Sequence, residues 1–176
     1  MIIGIPKESL PGENRVAILP ADIIQLSSDE LVFKIESGAG KGSFIADEDY
    51  KTAGAEIVSE IYSDSDLIIR INPPSEDELP IIKERTSIIS LMSPFTNHKL
   101  VKNLAKNKVS SFCLELIPRS TYAQSMDVLS SQATVSGYGD SVVVSVVRVN
   151  PSVANRLPIL PSVGFASPPS SLATYD

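Results

Sequence analysis

Hydrophobic residues in this chain gather in short unbroken runs rather than alternating with polar ones. Ile2–Ile5 is apolar throughout and stops at Pro6, and residues 31–35 (Leu-Val-Phe-Lys-Ile), 67–71 (Leu-Ile-Ile-Arg-Ile) and 87–91 (Ser-Ile-Ile-Ser-Leu) repeat that form. A weaker run lies at 56–58, and 109–117 closes the series in Leu114-Glu115-Leu116-Ile117, which reads as a buried strand. Continuous apolar strands suit a parallel sheet covered on both faces, because neither side meets water. Helical segments fall between them. Pro20–Leu26 opens on a proline suited to a first turn, 47–53 is closed by Gly54, and 97–107 sets Leu100, Val101, Leu104 and Ala105 on one face. Strands alternating with helices predict an α/β fold, a parallel sheet with helices on both faces and right-handed crossovers. The segments 31–35, 67–71 and 87–91 are expected to be interior strands. No internal repeat is present.

Composition narrows the picture modestly. A chain of 176 residues, 43% of them hydrophobic, holds enough apolar material for a core, and a net charge of −6 disfavours nucleic acid as a partner. One cysteine, Cys113, excludes an internal disulfide, and its apolar setting marks a buried thiol. The N-terminus reads as a first strand rather than a signal peptide, and no apolar run approaches membrane-spanning length. A soluble intracellular chain is expected. Beyond Tyr138 the pattern decays into β-branched residues at 142–147, then into a Pro, Ser and Val-rich stretch without Lys or Glu. Residues 139–176 are therefore expected to form a disordered or loosely packed tail.

Two stretches carry candidate chemistry. Gly38-Ala39-Gly40-Lys41-Gly42-Ser43 approaches both common phosphate-binding patterns and meets neither, since Ser43 stands where the dinucleotide pattern needs Gly and Gly42 where the Walker pattern needs Ser or Thr. It reads as a structural turn. Residues 118–131 follow the 109–117 run and combine a cation (Arg119), an amide (Gln124), a carboxylate (Asp127) and two hydroxyls (Ser130 and Ser131). Arg only donates, Asp only accepts and Gln does both, a set suited to a carboxamide and a ribose. Residue types alone favour the plainer reading, a turn and helix start capped by Asp127 or Ser125.

The pattern Pro-Arg-x-x-x-x-Gln-x-x-Asp-x-Leu-Ser-Ser resembles the signature loop of the nicotinamide nucleotide transhydrogenases, in the NAD(H)-binding region of their alpha subunit. Collinear matches support the resemblance from Ile2 to about Tyr138: Gly-Ile-Pro-Lys-Glu, Asn-Arg-Val-Ala, Glu-Ser-Gly-Ala-Gly and Ala-Gly-Ala-Glu-Ile. The resemblance implies a Rossmann-like or flavodoxin-like parallel α/β domain over residues 1–138. It assigns Arg119, Gln124 and Asp127 to the nicotinamide site, with Arg119, Asp127, Ser130 and Ser131 as cofactor contacts, and names no metal. It implies NAD(H) as cofactor, NADP(H) on a partner domain, and a membrane subunit that couples hydride transfer to proton movement. The place would be cytoplasmic, or the matrix side if eukaryotic, peripheral to the inner membrane through those partners. In this family a second domain, with a glycine fingerprint, holds most of the dinucleotide. No such fingerprint follows here, so the chain is expected to be a truncated piece, weak in NADH binding and inactive alone. The alternatives are a non-catalytic remnant or binding module from a frameshifted gene, or an alanine-dehydrogenase-like fragment.

The same segments resemble the related alanine dehydrogenases, whose counterpart of Arg15 binds the substrate carboxylate. Those enzymes also use a Lys and a His, and the matching places here hold Asn72 and Ser93. Neither supplies a cation or a general acid near neutral pH, which disfavours amino-acid dehydrogenation. The only histidine, His98, is expected at an exposed helix start.

Overall fold

The computed structural model describes residues 1–117. They form β1 (Ile2–Ile5), α1 (Pro20–Leu26), β2 (Val32–Glu36), α2 (Asp47–Thr52), β3 (Glu56–Val58), β4 (Leu67–Ile69), β5 (Ser87–Ser90), α3 (His98–Lys106) and β6 (Ser110–Cys113). Short 3-10 turns occupy Lys41–Ser43, Leu79–Ile81 and Leu114–Leu116. The strands join one sheet in the order β3-β2-β1-β4-β5-β6, every pairing parallel. From β1 the chain winds outward through β2 to β3, then returns to place β4 on the other side of β1. The crevice between β1 and β4 is therefore the point where strand order reverses, and at the carboxyl ends of such strands α/β proteins build their sites.

Alternation along the strands divides the core in two. Leu67 and Ile69 of β4 lie with Ile3, Ile5, Phe33 and Ile35 beneath Ile23 of α1 and Tyr50 and Ala53 of α2. Ile68, pointing the other way, joins Ile88 and the α3 residues Leu100 and Leu104, with Tyr62, Leu79 and Ile82 completing that face. A parallel sheet with helices on both faces follows, as the apolar runs predict, and 31–35, 67–71 and 87–91 all supply interior strands. Gly4 of β1 is required by close packing: a Cβ there would lie 2.2 Å from Ser65 Oγ and 2.4 Å from Ile61 Cγ2. Both neighbours are buried, so the chain entering β4 presses directly on the central strand.

The helices begin with side-chain partners for their first amides. Asp22 accepts from Leu19 N–H at 3.0 Å, Asp49 from Ala46 N–H at 3.0 Å, and Asn97 from Leu100 N–H at 3.3 Å. Gly54, at φ +96°, ends α2 in the left-handed conformation that favours glycine. His98 is the first residue of α3 and is exposed. No helix among the described residues is long and apolar enough to cross a membrane.

Two expectations need correction. The 109–117 run is not one buried strand: β6 ends at Cys113, which pairs with Ser90, and Leu114–Leu116 turns away. Beyond β5, Leu91 N–H still donates to Ile71 O, but the two amides after it, Met92 N–H and Ser93 N–H, donate to the Glu115 carboxylate. Because β6 is the edge of the sheet among the described residues, Phe112 and Leu116 remain 41% and 47% exposed. Cys113 is correspondingly half-buried rather than buried, with its thiol pKa pushed up by desolvation and then by Glu115. The tail at 139–176 lies outside the described residues.

Candidate functional site

At the carboxyl edge of the sheet a cleft of ≈ 240 Å³ opens beside the β1–β4 crevice. It is lined by Lys7 and Glu8 after β1, by Glu13, Asn14 and Arg15 in the loop to α1, and by Gly38, Ala39, Lys41 and Gly42 after β2. Arg15 is held there by its near neighbour. Its Nε donates to Glu13 Oε1 at 2.7 Å and its Nη2 to Glu13 Oε2 at 2.5 Å, a two-point guanidinium–carboxylate pair.

Behind this pair runs a chain of polar groups into the crevice. Asn72 Nδ2 donates to Glu13 Oε2 at 3.0 Å and to Glu8 Oε2 at 3.2 Å, so one neutral amide bridges two carboxylates. Glu8 also accepts the main-chain N–H groups of Ile71 at 2.6 Å and Asn72 at 3.1 Å, filling the place where strand order reverses. Glu13 is held down to about 2 from its ordinary 4.5, first by the Arg15 hydrogen bond, with burial opposing and Asn72 assisting. Arg15 is raised in turn, chiefly by Glu13.

A folded-state carboxyl pKa below its unfolded value adds stability that is complete above the unfolded value and is lost as pH falls through the folded one. The window for Glu13 therefore runs from about 4.5 down to about 2. Urea-unfolding midpoints measured across that range are expected to fall more steeply for the wild type than for Glu13→Gln. Parallel curves would show that the pair contributes nothing to acid sensitivity.

The glycine-rich turn proves structural. Four of its amides are engaged within the fold: Gly38 N–H on Asp47 at 2.9 Å, Ala39 N–H on Glu36 O at 2.9 Å, Lys41 N–H on Gly38 O at 3.2 Å, and Ser43 N–H on Gly40 O at 2.9 Å. What the turn does is press against the Arg15 loop. A Cβ at Gly42 would lie 2.6 Å from Asn14 O, and Ser43 Oγ donates to that same carbonyl at 2.8 Å. Glycine at 42 thus lets two backbones meet and fixes the segment that presents Glu13 and Arg15.

A buried cation beneath the cleft is absent from the sequence-derived set. Arg70 has no exposed side-chain surface and sits between Glu78 (Nη1 to Oε2, 3.0 Å) and Glu8 (Nη2 to Oε2, 3.8 Å). It donates further to Tyr62 Oη at 3.1 Å and Ser9 Oγ at 3.3 Å, while Tyr62 donates to Glu78 at 2.7 Å. Glu78 is lowered: burial raises it, but Ser75 N–H, Tyr62 and Arg70 together prevail. The only sequence signal is a charged residue inside an otherwise apolar strand run.

Of the residues singled out from sequence, Arg15 and Asn72 are brought together, linked through Glu13. Ser93 is exposed and lies outside the cleft lining, at φ +47° ahead of Pro94, with its N–H on Glu115. Arg119, Gln124, Asp127, Ser130 and Ser131 lie outside the described residues. As formed by the described residues, the cleft is smaller than the ~300–1,000 Å³ typical of ligand pockets, and four of the turn's amides are already engaged.

Comparison with known proteins places this architecture. Residues 4–136 match the family model for the alanine dehydrogenase/PNT N-terminal domain. An NAD(P) transhydrogenase alpha-subunit chain of Rhodospirillum rubrum is 33% identical over 183 residues, covering 99% of this chain and 46% of the relative. Alanine dehydrogenase 2 of Staphylococcus aureus is 36% identical over 139 residues, 78% of this chain and 37% of that enzyme. Among solved structures, a transhydrogenase from Sinorhizobium meliloti superposes with a TM-score of 0.73 at 38% identity, covering 78% of this chain and 42% of its own. An L-alanine dehydrogenase at 23% identity shares the fold with a TM-score of 0.71. The chain spans less than half the length of these relatives. With the match running through most of the described sheet and beyond it, the chain belongs to the alanine dehydrogenase/PNT N-terminal domain family.

Proposed function

We propose that this chain is the N-terminal region of a NAD(P) transhydrogenase alpha subunit, serving hydride transfer between NADH and NADP+ rather than deamination of an amino acid. The observation that carries this reading is Asn72. Where the alanine dehydrogenases have a lysine, this chain has a neutral amide whose Nδ2 is engaged with both Glu8 and Glu13. No cation at that place polarises a keto acid. Ser93, at the dehydrogenases' histidine position, is neither in the cleft nor an acid near neutral pH.

In this reading Gln124, Arg119 and Asp127 act at the nicotinamide of NAD(H), with Ser130 and Ser131 as further cofactor contacts. NADP(H) is held by a partner domain, and a membrane subunit couples the reaction to proton movement, leaving this chain peripheral to the membrane on the cytoplasmic or matrix side. Residues 1–138 form the family unit and 139–176 a separate tail. NADH binding by the chain as it stands is weak in this reading. The Rhodospirillum rubrum alignment, which extends over 99% of the chain, supports the assignment.

A chimera tests it. Residues 1–138 replace the matching segment of the Rhodospirillum rubrum alpha-subunit chain, which is assayed with its own partner subunits. Transhydrogenation between NADH and NADP+ is expected, with no alanine-dependent reduction of NAD+. A chimera that oxidises alanine and does not transhydrogenate would sink the reading.

A further inference from the structure

The segment that leads from the sheet into residues 118–131 is fastened by one carboxylate. β6 ends at Cys113, the turn Leu114–Leu116 follows, and Ile117 N–H closes that turn on Leu114 O at 3.3 Å. From within the turn Glu115 Oε1 accepts Met92 N–H at 2.7 Å and also Ser93 N–H, groups 23 and 22 residues away. Its other oxygen, Oε2, is buried and has no hydrogen-bond partner among the described residues.

The far end of this link is itself firmly held. Met92 is buried, and Ser93 keeps φ +47°, which a residue other than glycine rarely adopts. The Ser93 carbonyl accepts Thr96 N–H at 3.0 Å, Asn97 N–H at 2.9 Å and Thr96 Oγ1 at 3.1 Å, while Asn97 caps α3. Glu115 therefore ties its turn to a point joined to both β5 and α3. Ile117 then runs extended, at φ −63° and ψ 122°, as a residue before proline should. A direction set at Glu115 passes to Arg119 with little freedom to change it.

We propose that Glu115 is a positioning residue: by binding the two amides beyond β5 it fixes where residues 118–131 leave the sheet, and so places Arg119, Gln124 and Asp127 at the nicotinamide. This role rests on the transhydrogenase reading, and Glu115 acts through the loop rather than on the cofactor. Two substitutions separate anchoring from charge. Glu115→Ala removes the acceptor. Glu115→Gln keeps an oxygen for both amides and sets its NH2 where Oε2 stands, so no described hydrogen bond is lost.

In the full chain labelled with nitrogen-15, Glu115→Ala is expected to shift the amide resonances of Gln124 and Asp127 along with those of Met92 and Ser93. Glu115→Gln is expected to leave Gln124 and Asp127 near their wild-type positions. Gln124 and Asp127 resonances unmoved by Glu115→Ala overturn the proposal, since a carboxylate that only braces the sheet's edge changes stability and nothing further along the chain. In the chimera carrying residues 1–138, Glu115→Ala is expected to lower kcat for transhydrogenation at least about tenfold, a displacement of about 1 Å being worth up to about 100-fold, with KM for NADH changed far less. Glu115→Gln is expected to keep most of the rate. An undiminished kcat in Glu115→Ala overturns the proposal, as do equal losses in both variants, which assign the role to charge. Glu115→Thr, equally short of the amides and suited to a strand end, replaces Glu115→Ala if urea unfolding shows that variant unfolded. A chimera that does not transhydrogenate before substitution counts against the reading of the reaction alone, and the resonances then decide whether Glu115 places the loop.

Discussion

Replacing Arg70 by methionine is expected to cost this domain about 3–5 kcal/mol of unfolding free energy, the range for removing one partner of a buried ion pair. The guanidinium is fully buried, with Glu78 at 3.0 Å and Glu8 at 3.8 Å, and Tyr62 and Ser9 take its remaining contacts. Methionine fills much of the volume but leaves two carboxylates facing each other without a cation. Urea unfolding of Arg70→Met, Glu78→Gln and the double variant measures this directly. The double variant should recover part of the loss, because neutralising Glu78 removes one stranded charge. A single-variant loss below about 1 kcal/mol, the level of an exposed pair, would show that the network is incidental.

The sheet is legible in the sequence because its strands write themselves as apolar runs, and because each helix announces an end. Pro20 opens α1, Gly54 closes α2 and Asn97 caps α3. The exception lies at the sheet's edge. Leu114, Leu116 and Ile117 look like strand interior, yet apolar composition cannot reveal that the neighbouring strand has no free amides left, and here Glu115 takes them. The site is legible only in pieces. Arg15 and Asn72 stand out one at a time, but Asn72 meets Glu13 and Glu8 from 59 and 64 residues away, and Arg70 meets Ser9 from 61. Such pairings are products of the β1–β4 adjacency, which no local pattern encodes. Glu13 is different: it lies two residues from Arg15, so its pairing is local, and only the guanidinium drew a chemical role from sequence.

The second large effect concerns the nicotinamide. In the chimera carrying residues 1–138, Gln124→Ala is expected to lower transhydrogenation about 100-fold, the penalty typical of a reacting group misplaced by about 1 Å, with NADH affinity changed far less. The amide both donates and accepts, which alanine cannot reproduce, while the contacts proposed for Arg119 and Asp127 stay in place. Steady-state rates alongside calorimetric NADH titration separate the two quantities. A Gln124→Ala chimera with an undiminished rate, or with rate and affinity lost in parallel, would remove Gln124 from the chemical step.

The two outermost strands carry a consequence for behaviour at high concentration. Among the described residues the sheet's flanks are β3 and β6, only three and four residues long. One opens on the charged Glu56 and the other on Ser110 and Ser111, all exposed. A flank this brief offers a second molecule few unpaired amides in register, so the hydrophobic strands stay in the interior of the sheet and the exposed ladders are poor templates for chain-to-chain stacking. Among the described residues, the strand order thus keeps the apolar runs of β1, β2, β4 and β5 off the exposed ladders of the sheet.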